Sequence, residues 1–378
     1  MPTDSRKPHV CFISESKRTY SLLMGEECSK VGGAEVQQTL LASTMRGIGY
    51  PVSFLVPDFG QPSKIVTEQG ITLIKIRPQS KTIRGMKFLD DIARFFQAMG
   101  RADADIYYQR AGSPVTGIAA MYCKLKRKPF VFSLASNMDL DGTWKKGLRP
   151  HQYWLFNYGL HNATAIVAQT DDQMRLLRET TGREGVLIRS TFAEPSESSR
   201  ARERGYVLWV GNFWAIKRPA MYLELAGRLT EYGFVMVGGP RAGEEHVFDE
   251  TSKAAAGVKN LEFVGPVTFT EVGGYFDGAS VFVNTSSIEG FPNTYLQAWC
   301  RGVPVAATFD ADALISRYGL GRKCDDLEGL VSAVDELMKD EALRGRIGET
   351  ARSYVGENHS PERVVAKYDE LFMSLVEP

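Results

Sequence analysis

Short apolar runs alternate with helical stretches along nearly the whole chain of 378 residues. The runs have the length and the branched or aromatic side chains of buried strands, and polar loops bound them. Strands that alternate with helices are typical of a doubly wound parallel sheet, so the sequence predicts the α/β class. The predicted strands are VCFIS, PVSFLVP, ITLIKIRP, DIYYQR, PFVFSLA, AIVAQT and GVLIRS, then YVLWVG, FVMVGG, LEFVG, ASVFVN and VPVAAT.

The alternation breaks once, at AEPSESSRARERG, which is rich in serine, proline and charge. This composition is typical of a linker between domains. We predict a first domain over residues 1–195, a hinge over 196–205 and a second α/β domain over 206–360. Two helical patterns end the chain, one from Leu327 onward and one over 361–378. Two similar halves also predict a ligand cleft between them.

Composition and charge limit the classes of function that the chain can have. With 43% apolar and 24% charged residues the chain is ordinary globular material, and its formal net charge of +0 gives no field that would recruit nucleic acid. Five cysteines without paired metal spacing favour a reducing compartment, so we expect a cytoplasmic protein. The basic cluster in MYCKLKRKPF would allow peripheral contact with the inner face of a membrane, although a solvated helix C-terminus explains it as well.

The stretch EGFPNTYLQAW follows the predicted strand ASVFVN and carries a candidate polar site. Gly290 and Pro292 predict a turn, and a helix is expected to start at Asn293, with Asn293 or Thr294 as its N-cap. Glu289 then lies at the carboxyl edge of a parallel sheet, where ligands bind. Backbone amides at the helix start would suit a phosphate, whereas an ordinary capped loop is the alternative.

Two further loops follow predicted strands. KVGGAE could bring backbone amides close to a phosphate or could simply lead into a helix, and GNFWAIKRP places Lys217 and Arg218 where they would bind a diphosphate or form surface ion pairs. The five histidines show no metal-ligand spacing, and no serine or cysteine nucleophile motif occurs. We therefore expect chemistry that stabilises charge without a metal or a covalent nucleophile.

These segments together resemble the GT-B retaining glycosyltransferases of glycosyltransferase family 4 over nearly the whole chain. The resemblance rests on GGAE, GNFWAIK, LEFVGPV, EGFPNTYLQAW and RGVPV. It implies two Rossmann-like domains that face each other across a cleft, with the acceptor in the first, a nucleotide sugar in the second, and helix 361–378 packed back on the first. It also implies retaining transfer of a hexose-type sugar to a saccharide or lipid-linked acceptor, in polysaccharide or glycolipid assembly. The co-substrate would be a nucleotide diphosphate sugar of UDP or GDP type, with no other cofactor.

The resemblance also assigns roles to single residues. Glu289 would hold hydroxyls of the donor sugar, and Lys217 would neutralise the diphosphate. On the acceptor side, Asn137 or Asp139 would face the donor sugar in a region where relatives have a histidine. The other donor-binding residues would be Gly32, Gly33, Asn212, Arg218, Gly265, Pro266, Val267, Gly290, Phe291, Pro292, Asn293, Thr294 and Gln297.

Two positions depart from the family pattern. Gln297 stands eight residues after Glu289, where the family usually has a second acid, and Asn212 stands where it usually has arginine. We hypothesise that the two changes compensate, because one removes an anion and the other a cation, with Arg218 supplying part of the lost attraction. A noncatalytic nucleotide-sugar-binding protein is the alternative function. An NAD-dependent oxidoreductase is a third, but the G-x-G-x-x-G loop it needs is missing.

Overall fold

The computed structural model describes residues 6–26, 32–79, 87–143, 148–192 and 205–376. The chain divides into two compact units. The first comprises residues 1–26, 32–191 and 361–378, and the second comprises 27–31 and 192–360. The predicted hinge, apart from residue 205, lies outside the described residues. Each unit contains one sheet of the predicted α/β class.

The first unit is built on an eight-stranded sheet with the order β3-β4-β2-β1-β5-β6-β7-β8. All neighbouring strands are parallel except β3, which runs antiparallel to β4 and was not predicted because it is only three residues long and half-exposed. The strands are β1 (Val10–Ile13), β2 (Val52–Val56), β3 (Lys64–Val66), β4 (Thr72–Lys75), β5 (Ile106–Arg110), β6 (Phe130–Ser133), β7 (Ala165–Ala168) and β8 (Val186–Leu187).

Helices cover both faces of this sheet. Gly33–Gly47 and Pro361–Val376 contribute to the core on one face, and Lys87–Ala102, Pro114–Lys126 and Pro150–Asn162 contribute to the core on the other. The C-terminal helix thus belongs to the first unit although it follows the second along the chain. Within the described residues this unit also contains the α-helices Lys17–Met24 and Asp171–Thr181 and the short 3-10 helix Asn137–Asp139.

The second unit is built on a six-stranded parallel sheet with the order β11-β10-β9-β12-β13-β14. The strands are β9 (Tyr206–Val210), β10 (Gly233–Val237), β11 (Leu261–Gly265), β12 (Ala279–Asn284), β13 (Val305–Ala307) and β14 (Gly321–Lys323). The helices are Pro219–Arg228, Glu245–Ala255, Phe269–Asp277, Asn293–Trp299, Leu314–Tyr318, Leu327–Lys339 and Glu341–Asn358. The single helix expected from Leu327 onward is two helices, because Asp340 leaves the helical conformation and caps the second by accepting from the Leu343 amide at 2.7 Å.

In each sheet the order of strands reverses direction at one place. Successive strands run outward in opposite directions from β1 and β5 in the first sheet, and from β9 and β12 in the second. The loops that leave the carboxyl ends of such a strand pair diverge to opposite faces and open a crevice, which is where doubly wound sheets bind ligands. No helix within the described part of the chain is both long and apolar enough to cross a membrane.

Candidate functional site

Lys217 and Glu289 form an ion pair across the β9/β12 crevice. Lys217 ends the short helical turn Ala215–Lys217 that follows β9, and Glu289 lies five residues after the end of β12. Their side chains are only 18% and 13% exposed. The Ser286 hydroxyl donates to the same Glu289 oxygen, Oε1, at 2.7 Å, and Glu289 Oε2 makes no hydrogen bond to a described residue. The site therefore contains a fixed carboxylate with one oxygen left for a ligand.

Arg218 holds the loop that carries this carboxylate. Its guanidinium donates to the carbonyl oxygens of Thr285 at 2.6 Å and Ser286 at 3.3 Å, and to the Thr308 hydroxyl at 2.6 Å. The Thr285 hydroxyl in turn donates to the Lys217 carbonyl at 2.5 Å. Nε and Nη2 of Arg218 thus donate to oxygens of this loop and of Thr308, and a role of Arg218 in diphosphate binding stays a prediction.

The helix after the turn begins at Asn293, as predicted, but its N-cap is Pro292 and not Asn293 or Thr294. The Tyr295 amide donates to the Pro292 carbonyl at 3.0 Å, so this amide is not available to an anion. The helix is buried on nearly all sides, because Tyr295 and the apolar residues after it lie in the core. The turn is consequently held by packing as well as by its backbone.

The buried ring of Phe291 holds the turn after Glu289 in place. Its ring is 7% exposed and stacks on the His359 ring, with the centroids 5.2 Å apart and the planes at 27°. His359 itself is fully buried and its carbonyl accepts from the Phe192 amide at 3.0 Å. Gly290 and Thr294 in the same turn are partly buried. The turn after Glu289 is therefore fixed to the segments where the chain enters and leaves the second unit.

The two positions that depart from the family pattern differ in their surroundings. Gln297 is 8% exposed, and its side-chain amide makes no hydrogen bond to a described residue. Its carbonyl accepts from Arg301 at 3.2 Å. Asn212, in the loop after β9, is exposed. An almost buried amide without a partner has hydrogen-bonding capacity left for a ligand.

The loop after β11 carries the residues predicted to border the base. Gly265 has φ +82, a conformation that favours glycine, and its carbonyl accepts from the Gly238 amide at 2.9 Å. Pro266 is exposed, and Val267 packs against the core. In this loop Pro266 is thus the exposed residue, while Gly265 is buried and Val267 half-buried, and a contact with the base stays a prediction.

The predicted residues of the first unit have local roles. Gly32 is the N-cap of Gly33–Gly47, and a Cβ there would lie 2.3 Å from the Glu35 carboxylate, so glycine makes room for that acid. Gly33 is exposed. These positions belong to a different unit from Lys217 and Glu289.

Asp139 is 3% exposed and accepts three backbone hydrogen bonds. The donors are the amides of Gly112 at 3.1 Å, Ala135 at 2.7 Å and Ser136 at 3.2 Å. The neighbouring Asn137 has a buried Oδ1 without a hydrogen-bond partner. Asp139 thus organises its loop, and Asn137 is the one with capacity for a ligand.

Ser286 is the site residue that sequence reasoning did not single out. It lies three residues before Glu289 in NTSSIEG, a loop whose serines also suit an ordinary turn. Only the hydrogen bond to the carboxylate distinguishes it. Among the described residues, no group of three or more histidine, cysteine, aspartate or glutamate side chains could hold a metal ion.

Comparison with known proteins gives a match on each unit. The family model described as "Glycosyl transferase 4-like domain" matches residues 32–191. The family model described as "Glycosyl transferases group 1" matches residues 204–340, so the two together account for more than half of the chain.

A curated relative is the lipopolysaccharide core biosynthesis glycosyltransferase LpsE of Rhizobium meliloti (strain 1021). It is 26% identical over 205 residues, which are 51% of this chain and 55% of LpsE. The match therefore spans about half the length of that relative.

Two solved structures share the fold over almost the whole chain. Sucrose-phosphate synthase from Thermosynechococcus elongatus superposes with a TM-score of 0.78 at 15% identity, covering 98% of this chain and 99% of that one. Anabaena Alr3699/HepE, in complex with UDP and glucose, superposes with a TM-score of 0.76 at 15% identity, covering 97% of this chain and 100% of that one. At these identities the likeness concerns the fold alone.

Proposed function

This chain belongs to the GT-B glycosyltransferases, and we propose that it transfers a hexose-type sugar from a UDP or GDP sugar to a saccharide or lipid-linked acceptor. We further propose that the transfer retains the anomeric configuration, needs no metal, and serves lipopolysaccharide or other polysaccharide assembly. The pathway rests on the likeness of half the chain to LpsE. The donor class rests on the site and on the UDP and glucose bound by HepE.

The observation that carries the proposal is the Lys217–Glu289 pair with Ser286 at the β9/β12 crevice. Cleavage of the anomeric bond leaves a nucleoside diphosphate, whose new charge a partly buried ammonium stabilises. A carboxylate accepts charge-assisted hydrogen bonds from sugar hydroxyls. In the donor-free protein the two groups neutralise each other, and in the proposed complex Lys217 turns to the diphosphate while Glu289 Oε2 binds the sugar.

No side-chain nucleophile is required in this mechanism. The leaving phosphate oxygen takes the proton of the acceptor hydroxyl, that hydroxyl oxygen forms the new bond to the anomeric carbon, and the nucleoside diphosphate departs on the same face. The protein's contribution is to hold the donor and to stabilise the developing charge.

Gln297 is proposed to bind the ribose hydroxyls. Its unpartnered amide can accept from one hydroxyl and donate to another. Replacing a carboxylate by an amide weakens such contacts by on the order of 1 kcal/mol, about fivefold in affinity, because the hydrogen bonds lose their charge assistance. The backbone of the loop at Gly265 is proposed to border the base.

Turnover tests the proposal. UDP, GDP and ADP sugars are each incubated with the protein, with and without saccharide acceptors, and release of free nucleotide and the anomeric configuration of the product are measured by NMR. We expect release with one nucleotide class, a retained anomer, and a loss of at least a hundredfold in K217A and E289Q. The matched controls K253A and E250Q change exposed residues of helix Glu245–Ala255 and should leave the rate unchanged. An inverted product would contradict the retaining mechanism.

A noncatalytic nucleotide-sugar-binding protein is the second candidate, favoured by the neutral side chains of Gln297 and Asn212. The same panel separates the two functions. Tight binding of a nucleotide sugar without nucleotide release under any condition would support the binding protein and contradict the transferase.

A further inference from the structure

A cavity in the first unit lies between two helices and a loop. It has a volume of about 230 Å³, and its sides are helix Pro150–Asn162, helix Asp171–Thr181 and the loop 138–142. The second helix begins after the carboxyl end of β7 and meets the cavity at its last two residues, Thr180 and Thr181. At 1.5 Å per residue this end is about 15 Å from the start of the helix. The cavity therefore extends along the flank of the unit, away from the carboxyl edge of the sheet.

The floor of the cavity is apolar. Leu140, Phe156 and Leu160 line it and are exposed by only 7%, 3% and 4%. A ligand that covers these side chains removes apolar surface from water, which favours binding. Because Phe156 carries an aromatic ring, the floor suits a ligand with one apolar face.

Three polar side chains line the rim and keep hydrogen-bonding capacity. The Tyr153 hydroxyl and the Asn157 side-chain amide make no hydrogen bond to a described residue. Asp141 Oδ1 accepts from the Thr143 amide at 2.8 Å, whereas Asp141 Oδ2 makes no hydrogen bond within the described part of the chain. Asp141 and Asn157 are exposed, and Tyr153 is half-buried. The rim therefore offers a hydroxyl, an amide and a carboxylate oxygen to one ligand.

The walls are held in place by hydrogen bonds that leave these three groups out. The buried Asp139 carboxylate fixes the loop by accepting from backbone amides, among them that of Ala135 at 2.7 Å. Arg183, just after the second helix, donates to the carbonyl oxygens of Leu160 at 2.8 Å and Ala163 at 2.6 Å, at the end of the first helix. The cavity is therefore preformed, as small-molecule sites usually are.

An apolar floor and a polar rim match the chemistry of a sugar ring. A pyranose has C–H groups on its face and hydroxyls around its edge, and each hydroxyl both donates and accepts hydrogen bonds. A cavity of roughly 150 Å³ holds benzene, so this larger one accommodates a single six-membered ring. Asp141 forms no ion pair with a described residue, so its charge disfavours an anionic sugar. The ligand class that fits is a neutral saccharide.

We propose that this cavity binds one neutral pyranose ring of a saccharide, at a position separate from the donor site. Phe156 contacts the apolar face of the ring, and Tyr153, Asn157 and Asp141 bind its hydroxyls. The assignment goes beyond the proposed transfer reaction, because the cavity binds sugar whether or not the protein turns over a donor.

A methionine reports on the cavity directly, because Met138 lines it. The full chain is labelled with ¹³C-methyl methionine, the Met138 signal is assigned with M138L, and methyl α-glycosides are titrated in. The probes are the neutral glycosides of glucose, galactose, mannose and N-acetylglucosamine, and the anionic glycoside of glucuronic acid. We expect a saturable shift of the Met138 methyl signal with at least one neutral glycoside and none with the glucuronide. The signal of Met236, buried in the second unit, should not move.

Variants of the rim identify the contacts. Y153F and N157A should each weaken binding of the neutral glycoside about fivefold, because each removes a hydrogen-bonding group. D141N should weaken it less and should let the glucuronide bind, because the amide still accepts a hydrogen bond but carries no charge.

Three matched controls should bind the glycosides as wild type does. Y318F removes the hydroxyl of an exposed tyrosine in the second unit, and Q97A removes an exposed amide from helix Lys87–Ala102. E289Q changes the proposed donor site. Circular dichroism confirms that all variants are folded.

A Met138 methyl signal that none of the neutral glycosides shifts would overturn the assignment. Equal affinities of wild type, Y153F and N157A, or tighter binding of the glucuronide than of every neutral glycoside, would overturn it too. Failure of the proposed function is a separate result, since it appears as missing nucleotide release with every donor, and this titration contains no donor.

Discussion

Arg218 has φ +47, in the left-handed region that glycine adopts more readily than arginine. Hydrogen bonds from its side chain to Thr285, Ser286 and Thr308 offset the free-energy cost of this backbone conformation. Because these bonds place the loop that carries Ser286 and Glu289, we interpret Arg218 as a positioning residue. Its charge stays near the site, so the hypothesis that Arg218 supplies part of the attraction lost at Asn212 stays a prediction.

R218G therefore has two expected effects. The backbone strain is relieved, so the chain should stay folded, while the loop loses its bonds and kcat with the nucleotide sugar should fall about tenfold or more. The readouts are kcat, donor KM and melting by circular dichroism. A313G is the matched control, because Ala313 has φ +55 and an exposed side chain. Equal activity of R218G and wild type would contradict the positioning role.

The compensation between Gln297 and Asn212 is testable as a double-mutant cycle. Q297E alone should weaken donor binding, because repulsion between the added anion and the diphosphate, without a partner cation, should outweigh the charge assistance that a carboxylate gains at the ribose hydroxyls. N212R should restore the affinity in the double variant. Titration of the nucleotide sugar into all four proteins gives the coupling, and strictly additive free energies would refute the hypothesis.

At the level of single residues, the sequence predicted which chemical groups the site contains, but it did not predict which residues contact each other. Lys217 and Glu289 could be predicted because their residue types suit a diphosphate and a sugar. Their pairing could not, since they are 72 residues apart and meet only through the strand order. The carboxylate of Asp139 looked equally available in the sequence, but three backbone amides occupy it.

Among elements, helices Pro114–Lys126 and Pro150–Asn162 of the first unit pack with their backbones in close approach. A Cβ on Gly159 would lie 2.5 Å from the backbone of Thr116, and one on Gly117 would lie 2.1 Å from the Leu155 carbonyl oxygen. Glycine at both positions therefore lets the two backbones touch. The packing places the loop at Ser113, which begins the first of these helices.

G159A should force the two helices apart and lower the free energy of unfolding of the first unit by about 2 kcal/mol, the usual range for overpacking. Guanidinium unfolding followed by circular dichroism measures this. G227A is the control, because Gly227 lies in helix Pro219–Arg228 with open space around it. That change should stabilise by about 0.5–1 kcal/mol through helix propensity. A G159A variant as stable as wild type would show that the helices can separate freely.

Element types were predictable where the hydrophobic pattern was strong. The buried strands of both sheets carry long apolar runs, and all of them were found from the sequence. Strands β3 and β14 are three residues long with polar or exposed positions, so they leave no such pattern. The break at Asp340 was missed because a capping aspartate inside a continuous helical pattern also occurs on exposed helix faces.

For the whole molecule, the docking of helix Pro361–Val376 on the first unit connects the two ends of the chain. Asp369 accepts from Lys7 at 2.5 Å and from the Tyr50 hydroxyl at 2.6 Å. Burial works to raise the pKa of the Asp369 carboxyl, but Lys7 and Tyr50 outweigh it and hold this pKa below its ordinary value. The bonds stabilise the ionised carboxylate, and therefore the docked helix.

D369N should therefore lower the free energy of unfolding at pH 7 by about 1 kcal/mol. A depressed carboxyl pKa contributes stability above the unfolded pKa, roughly pH 4, and this contribution is lost as the pH falls through the folded value. The difference in the free energy of unfolding between D369N and wild type should accordingly become smaller below pH 4. Urea unfolding from pH 7 to pH 3 checks it, and a difference independent of pH would contradict the role of the ionised group.

The central claim is that Lys217 binds the diphosphate of the donor and Glu289 binds its sugar. Isothermal titration of the nucleotide sugar and of its free nucleoside diphosphate into wild type, K217A and E289Q tests it most directly. We predict that K217A loses affinity for both ligands, whereas E289Q loses about tenfold for the nucleotide sugar and keeps its affinity for the free diphosphate. An equal loss of affinity for both ligands in E289Q, or unchanged affinities in both variants, would contradict the account.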